Sequence, residues 1–327
     1  MEKSVAEVYH SGILNRFLHA YGLDEAYKLL GDFENYVYEV LRNDTPYILR
    51  VTHSSHRTEE EIMGEIDWVN YLYANGANVS VTFPSINNQL IEKQIAEDGT
   101  IFYACLFSKV VGKQVKSTDT IYEKRLFQSW GKEIGKLHRL TSQYKPKRMT
   151  RKQWYEDDLF AIDQYIPAEE TLVITRTMEI IEHVKNLPKK HYGLIHNDVH
   201  SGNFFYDGKE IYIFDFDDAC YFWHVSDIAI PLYYSCYSLF PDESNEQAKQ
   251  EFANRFLTAF MEGYRTEIEP PEGWETLIPL FLKVRDILLY TALNKKIAPQ
   301  DRSDVLKRRM QQMKDRIEQQ KAIVGNE

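Results

Sequence analysis

The sequence is short of cysteine and of long apolar runs, and each shortage excludes a class of protein. Only three of its 327 residues are cysteine. Cys105, Cys220 and Cys236 stand far apart and are odd in number, which indicates neither a disulfide framework nor a zinc site. No apolar run is long enough to span a bilayer, and residues 1–7 lack the apolar core of a secretion signal. We therefore expect a cytoplasmic protein with buried thiols and no membrane partner.

Basic residues are too few for a nucleic-acid-binding surface. The chain has 39 Lys and Arg against 49 Asp and Glu, a formal net charge of −10 at pH 7. Since neutralising phosphates requires a basic surface, we expect no nucleic-acid partner. An acidic surface would suit a cationic substrate, although it more often serves solubility. A basic cluster over residues 145–152, which includes Arg148 and Arg151, is typical of a solvated connector, with an anion contact as the alternative.

The chain is rich enough in apolar residues to fold, and long enough for two lobes or domains. Hydrophobic residues make up 43% of the sequence. Aromatic and β-branched runs predict strands in the first third, whereas apolar residues at helical spacing predict helices at the start and in the remainder. Strands are predicted over residues 27–41, 46–52, 80–83, 89–94 and 101–107, and helices over 5–20, 58–74, 126–137, 154–165, 171–187, 227–237, 252–264, 277–290 and 305–323.

A short hairpin is predicted near the middle of the chain. The apolar runs 204–206 and 211–213 flank the turn Asp207-Gly208-Lys209-Glu210. An Asp-Gly turn between two such runs is typical of a tight β-hairpin. Whatever precedes the first strand should therefore lie close to whatever follows the second.

Polar residues stand at the open end of this predicted hairpin. Asn203 precedes the first strand, Asp215 follows the second, and Asp198 lies five residues before Asn203. Amide and carboxylate oxygens that converge in this way suit Mg²⁺. The alternative is that these residues only form turns, and that Asp217 and Asp218 make a solvated acidic corner.

The order of these residues resembles a known family. His196-x-Asp198-x-x-x-x-Asn203, followed by a hairpin and Asp215-Phe-Asp217-Asp, resembles the catalytic loop and metal-binding Asp of protein kinases. It is more similar to the aminoglycoside phosphotransferase family, which includes choline, homoserine and fructosamine kinase relatives. The strand around Arg50 and the segment over residues 147–154 are most similar to the homoserine kinase and stress-response kinase branch.

The resemblance, which covers about residues 27 to 290, implies an architecture. We expect an α+β, two-lobed protein kinase-like fold, with a small five-stranded antiparallel β lobe and a larger, mostly helical lobe. Residues 1–107 would form the ATP-binding lobe with its leading helix, 108–112 the linker, and 113–327 the catalytic and substrate-binding lobe. Backbone groups near the linker would contact adenine, which singles out Phe107, Ser108 and Val110.

The resemblance also implies roles for the central residues. Asp198 would be the catalytic base that accepts or orients a substrate hydroxyl, while Asn203 and Asp215 would hold the Mg²⁺ that accompanies ATP. Asn197 stands where the family commonly has glycine, and this change removes no ligand. Asp227 leads an apolar helix, so it is interpreted first as an N-cap and second as an anchor for the catalytic loop.

Further residues would bind ATP in the first lobe. Arg50 stands at the family's phosphate-contacting lysine position, and Glu65 of the next helix is its expected partner, unless Arg50 faces water on an edge strand or Glu65 is a surface residue. Gly31 and Asn35 lie where a flap over the ATP phosphates is expected. The match there is weak, because there is one glycine where protein kinases have several.

The acceptor is the least determined part of the reaction. Asp217, Trp154, Asp158 and Trp223 are the candidate substrate contacts, and an aminoglycoside, homoserine or a related amino alcohol is the expected small-molecule substrate.

A Ser/Thr protein kinase is disfavoured because no Ala-Pro-Glu segment follows residue 215. A non-catalytic nucleotide-binding scaffold is disfavoured because the candidate base and both metal ligands are present. A homodimer is left open.

Overall fold

A computed structural model describes residues 2–147, 151–242 and 245–325. The chain divides into two compact units. Unit 1 contains residues 1–111, 144–151 and 212–217, and unit 2 contains residues 112–143, 152–211 and 218–327. The segments 144–151 and 212–217 thus join the N-terminal part of the chain. The predicted lobe boundaries at residues 107 and 112 stay predictions.

Unit 1 is built on a six-stranded antiparallel sheet rather than the five strands expected. The predicted strand over residues 27–41 is two strands, because the turn-forming residues 32–35 interrupt it. The strand order is β1, β2, β3, β6, β4, and β5 also pairs with β6. The strands are β1 (Tyr27–Gly31), β2 (Tyr36–Arg42), β3 (Thr45–His53), β4 (Thr82–Phe83), β5 (Glu92–Ile95) and β6 (Ile101–Ser108), and the helices are α1 (Lys3–Val8), α2 (Ser11–Ala20) and α3 (Glu59–Ala74).

Both faces of this sheet are covered by helices. Successive side chains of a strand point to opposite faces. Leu49 and Phe102 pack with Phe17 of α2 in one buried cluster. Cys105, on the other face, packs with Ile66 of α3 in a second cluster. Unit 1 therefore has an apolar layer on each side of the sheet.

Local hydrogen bonds decide where the first helices begin. The helix expected over residues 5–20 is broken at Tyr9 and His10, both extended, and the His10 ring accepts a hydrogen bond from the Gly12 amide at 3.2 Å. Helix α3 begins after Thr58, whose hydroxyl accepts from the Glu61 amide at 3.2 Å while the Glu61 carboxylate accepts from the Thr58 amide at 2.8 Å. This reciprocal capping stabilises the first turn of α3.

Unit 2 is mostly helical. Its helices are α4 (Lys124–Thr141), α5 (Thr171–Lys185), α6 (His224–Leu239), α7 (Glu246–Tyr264), α8 (Trp274–Lys296) and α9 (Asp304–Gln319). Two strands that the sequence did not predict, β7 (Tyr192–Ile195) and β10 (Cys220–Trp223), pair antiparallel. In the described part of the chain, no helix is long and apolar enough to cross a membrane.

The predicted hairpin is confirmed. Strand β8 (Phe204–Tyr206) pairs with β9 (Ile211–Ile213). The Asp207 carboxylate accepts hydrogen bonds from the amides of Lys209 and Glu210, at 2.8 Å each. The turn is therefore stabilised by the side chain that predicted it.

The prediction of one helix over residues 154–165 is wrong. This segment forms three short 3-10 turns, Trp154–Glu156, Asp158–Phe160 and Ile162–Gln164. The Asp157 side chain accepts a hydrogen bond from the Leu159 amide at 2.9 Å. An Asp that binds a nearby backbone amide competes with helical hydrogen bonding, which helical periodicity alone does not reveal.

Helices α4 and α7 approach each other closely at glycines. A Cβ atom on Gly131 would lie 1.8 Å from the Phe260 carbonyl oxygen, and one on Gly263 would lie 1.9 Å from the Gln128 carbonyl oxygen. Both obstacles are backbone atoms, which no side-chain rotation removes. The two helices can pack at this distance only with glycine at these positions.

We expect Gly131→Ala to destabilise the protein by about 1–3 kcal/mol, because overpacking outweighs the roughly 1 kcal/mol that alanine gains over glycine in a helix. Urea unfolding measures the change. Gly31→Ala is the control, since no atom lies within 4 Å of its added Cβ. A Gly131→Ala protein as stable as wild type would contradict the close approach.

Candidate active site

One buried carboxylate holds the loop that contains Asp198. Asp227, fully buried in the first turn of α6, accepts hydrogen bonds from the amides of His196 at 3.1 Å and Asn197 at 2.7 Å. His138 of α4 contacts the same carboxylate at 3.2 Å. No side-chain cap is made at the start of α6. The N-cap interpretation of Asp227 is therefore wrong, and it is the loop anchor.

The backbone of this loop explains its departure from the family pattern. Asn197 has φ +64°, in the left-handed region that favours glycine. Asn is among the few other residues that adopt this conformation readily. The Ser226 hydroxyl donates to its side-chain oxygen at 3.3 Å. Asparagine thus replaces glycine at a position where glycine is common for a conformational reason.

Asp198, whose side chain is 15% exposed, lies in a set of polar contacts within unit 2. The side-chain nitrogen Nδ2 of Asn203 donates two hydrogen bonds to Asp198, one to Oδ2 at 2.9 Å and one to the backbone carbonyl oxygen at 3.0 Å. Arg285 of α8 forms an ion pair with Oδ1, and His200 Nε2 lies 3.4 Å from Oδ2. Burial alone would raise the pKa of Asp198, but the charges of Arg285 and His200 outweigh it and lower the pKa to about 2. The carboxylate is therefore ionised at neutral pH.

The expected metal ligands have suitable donor atoms. Because the nitrogen of the Asn203 amide makes both hydrogen bonds to Asp198, its side-chain oxygen is left as the ligand atom. Asp215, in unit 1, has φ +64°, an unusual conformation for a residue other than glycine. An amide oxygen and a carboxylate are the hard ligands that Mg²⁺ prefers, so both residues fit the metal that the sequence implies.

In unit 1, Arg50 and Glu65 form a two-bonded ion pair. Nη1 and Nη2 of Arg50 donate to the two carboxylate oxygens of Glu65 at 2.8 and 2.6 Å. Arg50 is 5% exposed and Glu65 1%. Arg50 lies on the face of β3 that carries α3, and its guanidinium stacks 5.0 Å from the Phe107 ring centre. Neither a water-facing edge arginine nor a surface glutamate describes this pair.

Asp217 is buried among basic groups of unit 1 and is not a solvated corner. Its Oδ2 lies 2.6 Å from His56 Nε2 and accepts a hydrogen bond from the side-chain nitrogen Nδ2 of Asn35 at 3.4 Å, while Arg57 Nε lies 3.4 Å from Oδ1. Burial would raise the pKa of Asp217, but the charges of Arg57 and His56 lower it well below the usual range. These contacts join Asn35 of the expected flap to the segment that follows β9.

Arg151 is a residue that sequence reasoning missed. It is 8% exposed, and it donates to the carbonyl oxygens of Glu61, at 3.2 Å, and of Asp217. The solvated-connector interpretation is therefore wrong for Arg151, while Arg148 lies outside the described residues. No local pattern distinguishes this arginine from its basic neighbours. Arg151 ties the first turn of α3 to residue 217 within unit 1.

The other predicted ATP contacts of unit 1 lie near the end of β6. Ser108 exchanges hydrogen bonds with the Val81 backbone, at 2.8 Å through its amide and 2.9 Å through its hydroxyl. Phe107 is buried against α3, and Val110 is half-buried beyond the strand. Gly31 ends β1 with open space around it. Their part in ATP binding stays a prediction.

The predicted substrate contacts of unit 2 have protein partners. Trp154 and Trp223 are each 3% exposed, with ring centres 6.2 Å apart, and Trp223 donates to the Pro188 carbonyl oxygen at 2.9 Å. Asp158 binds Lys295 at 2.5 Å and the Tyr165 hydroxyl at 2.8 Å. Burial of this extent favours a packing role for the two tryptophans.

Comparison with known proteins identifies relatives over most of the chain. The model of the phosphotransferase enzyme family matches residues 26–273. The amicoumacin kinase of Bacillus subtilis (strain 168) is 33% identical over 301 residues, which cover 90% of this chain and 88% of that protein.

Solved structures confirm the protein kinase-like fold. The structure of amicoumacin kinase hAmiN in complex with AMP-PNP, Ca²⁺ and Ami matches with a TM-score of 0.93 and 32% identity, over 100% of this chain and 98% of that one. A microcompartment-associated aminopropanol kinase has the same fold at a TM-score of 0.73 and 21% identity, over 94% and 97% of the two chains.

The buried pair of unit 1 is testable by unfolding. We expect Arg50→Met to lower the free energy of unfolding by about 3–5 kcal/mol, because it leaves Glu65 buried without its partner. The double variant Arg50→Met/Glu65→Leu should recover most of this loss, since no unpaired charge remains. Losses that simply add in the double variant would contradict the pairing. Lys124→Met, which breaks a pair that is 62% and 41% exposed, should cost less than about 1 kcal/mol.

Proposed function

The chain belongs to the phosphotransferase enzyme family, and from this premise we propose how it works as a kinase. It transfers the γ-phosphoryl group of ATP to a hydroxyl of a small polar molecule. The family uses ATP with a divalent metal, and we assign Mg²⁺ here. The observation that carries the proposal is the Asp198 carboxylate, ionised and bonded to Asn203 on a loop that Asp227 anchors.

Asp198 receives the acceptor hydroxyl in this proposal. Phosphoryl transfer depends more on positioning and charge stabilisation than on covalent chemistry of the protein. The Asp198 carboxylate orients the hydroxyl and accepts its proton as the phosphoryl group is transferred. As the family resemblance implies, Asn203 and Asp215 would be ligands of the metal, which would supply neutralisation of phosphate charge. Arg50, oriented by Glu65, contacts a phosphate oxygen as the fixed cation of unit 1.

We propose amicoumacin as the first acceptor to test. The basis is the 33% identity with an amicoumacin kinase over 90% of this chain. Aminoglycosides, homoserine and related amino alcohols are the second group, which the motif pattern suggests. A cytoplasmic location and a homodimer stay predictions.

Turnover with a panel of acceptors tests the proposal. We expect Mg²⁺-dependent consumption of ATP with amicoumacin or another small hydroxyl compound, and a loss of about 10²- to 10⁴-fold in kcat for Asp198→Asn, because the general base is removed. Asp304→Asn is the control, since this side chain is 92% exposed at the start of α9. ATP binding without turnover on any acceptor would favour the scaffold, and transfer to a generic protein substrate would favour the protein kinase.

The metal assignment gives a separate test. Removing divalent cations with EDTA should abolish turnover, and added Mg²⁺ should restore it. Asn203→Ala should raise the Mg²⁺ concentration needed for half-maximal rate by about 10- to 100-fold, because one oxygen ligand is lost. An unchanged Mg²⁺ dependence in Asn203→Ala, with Asp304→Asn as reference, would show that Asn203 is not a ligand.

A further inference from the structure

Arg285 is held at several points beside Asp198. Its Nη2 donates to Asp198 Oδ1 and, at 2.7 Å, to the Tyr234 hydroxyl, to which Nε also donates at 3.1 Å. Nη1 lies 3.5 Å from the Asn197 carbonyl oxygen, and the guanidinium stacks 4.9 Å from the Tyr234 ring centre. The side chain is 13% exposed. A long and ordinarily flexible side chain is therefore confined to one geometry.

The two oxygens of the Asp198 carboxylate are held from different elements. Arg285 of α8 binds Oδ1, and Asn203 of the loop binds Oδ2. Two donors on different oxygens restrict rotation about the bond that carries the carboxylate. His200 Nε2 also lies 3.4 Å from Oδ2, whereas Oδ1 keeps a second lone-pair direction through which a hydroxyl can approach without displacing Arg285. A residue that does not touch the substrate can raise the rate of a reaction by holding the reacting carboxylate in one orientation.

A neighbouring ion pair of the same composition lies outside the loop of residues 196–203, so it serves as a structural comparison for Arg285 and Asp198. Asp286, the next residue of α8, accepts from Arg316 at 2.7 Å through Oδ2 and from the Tyr233 hydroxyl at 2.7 Å through Oδ1. This second group has the same three residue types, Tyr, Arg and Asp, and it is more deeply buried than the group around Asp198. These hydrogen bonds join α6, α8 and α9. The two groups differ in whether the aspartate is in the catalytic loop.

We propose that Arg285 is a positioning residue for phosphoryl transfer, which fixes the orientation of the Asp198 carboxylate toward the acceptor hydroxyl. This inference rests on the proposed function, because Asp198 is its point of action. Tyr234 acts as the support: its ring and hydroxyl keep the guanidinium in place. Arginine suits this task because its planar fork can bind Tyr234 and Asp198 together, which a lysine cannot do.

Kinetics of Arg285→Ala test the role. We expect kcat to fall by about 100-fold, with the KM values for acceptor and ATP changed by less than about threefold, because orientation rather than binding is lost. Free guanidinium, well below denaturing concentrations, should restore at least part of kcat, and urea at the same concentration should not. Arg285→Lys should retain more kcat than Arg285→Ala, since it keeps the charge.

Arg316→Ala is the matched control. It removes the arginine of the structural pair, so it should lower the stability to a comparable extent while kcat per folded molecule stays within about twofold and does not respond to guanidinium.

Three outcomes would overturn the inference. If the kcat of Arg285→Ala falls by no more than the kcat of Arg316→Ala, Arg285 has only a structural role. A raised acceptor KM at unchanged kcat would make it a substrate contact. A wild-type protein without turnover on any acceptor would overturn the proposed function, and with it this role.

Discussion

The hydrogen bonds from two loop amides to the buried carboxylate of Asp227 are the constraint on which the rest of unit 2's site depends. The loop that bears Asp198 and Asn203 has no strand partner along residues 196–203, so its backbone donors need another acceptor. Asp227 supplies both oxygens to this purpose, and the packing of α6 fixes Asp227 in turn. This anchor fixes the positions of Asp198 and Asn203, which explains why the fully buried charge of Asp227 is retained.

Unit 1 also contains buried charges, and there an ion pair rather than backbone amides stabilises them. A charge inside an apolar sheet is costly unless it is paired, and the Arg50–Glu65 pair satisfies both groups with two short hydrogen bonds. The alternation of a strand sends Arg50 to the α3 side, because Leu49 and Val51 occupy the other face. Asp217 repeats the principle with His56 and Arg57. In each unit, then, a buried carboxylate is tolerated because basic groups or amides surround it.

Two departures from the family pattern become understandable in these terms. Arginine in place of lysine at residue 50 keeps a charge and adds a planar fork, which suits the two oxygens of Glu65. Asparagine in place of glycine at residue 197 keeps a left-handed backbone at modest cost. The alternative of a solvated corner at Asp217 and the predicted helix over residues 154–165 are wrong for one reason. In both places a short acidic side chain found a specific partner that composition does not show.

By itself the sequence determined the features that act over a few residues: most strands and helices, the hairpin at Asp207, and the order of Asp198, Asn203 and Asp215. Turn chemistry and side-chain periodicity are local, so they can be recognised in a single chain. Only the tertiary structure decided that Asp227 anchors the loop of residues 196–203, that Arg151 is buried and that Arg285 faces Asp198. These contacts join residues 31, 66 and 87 positions apart. Which distant groups meet is decided by how the elements pack, and no local pattern records it.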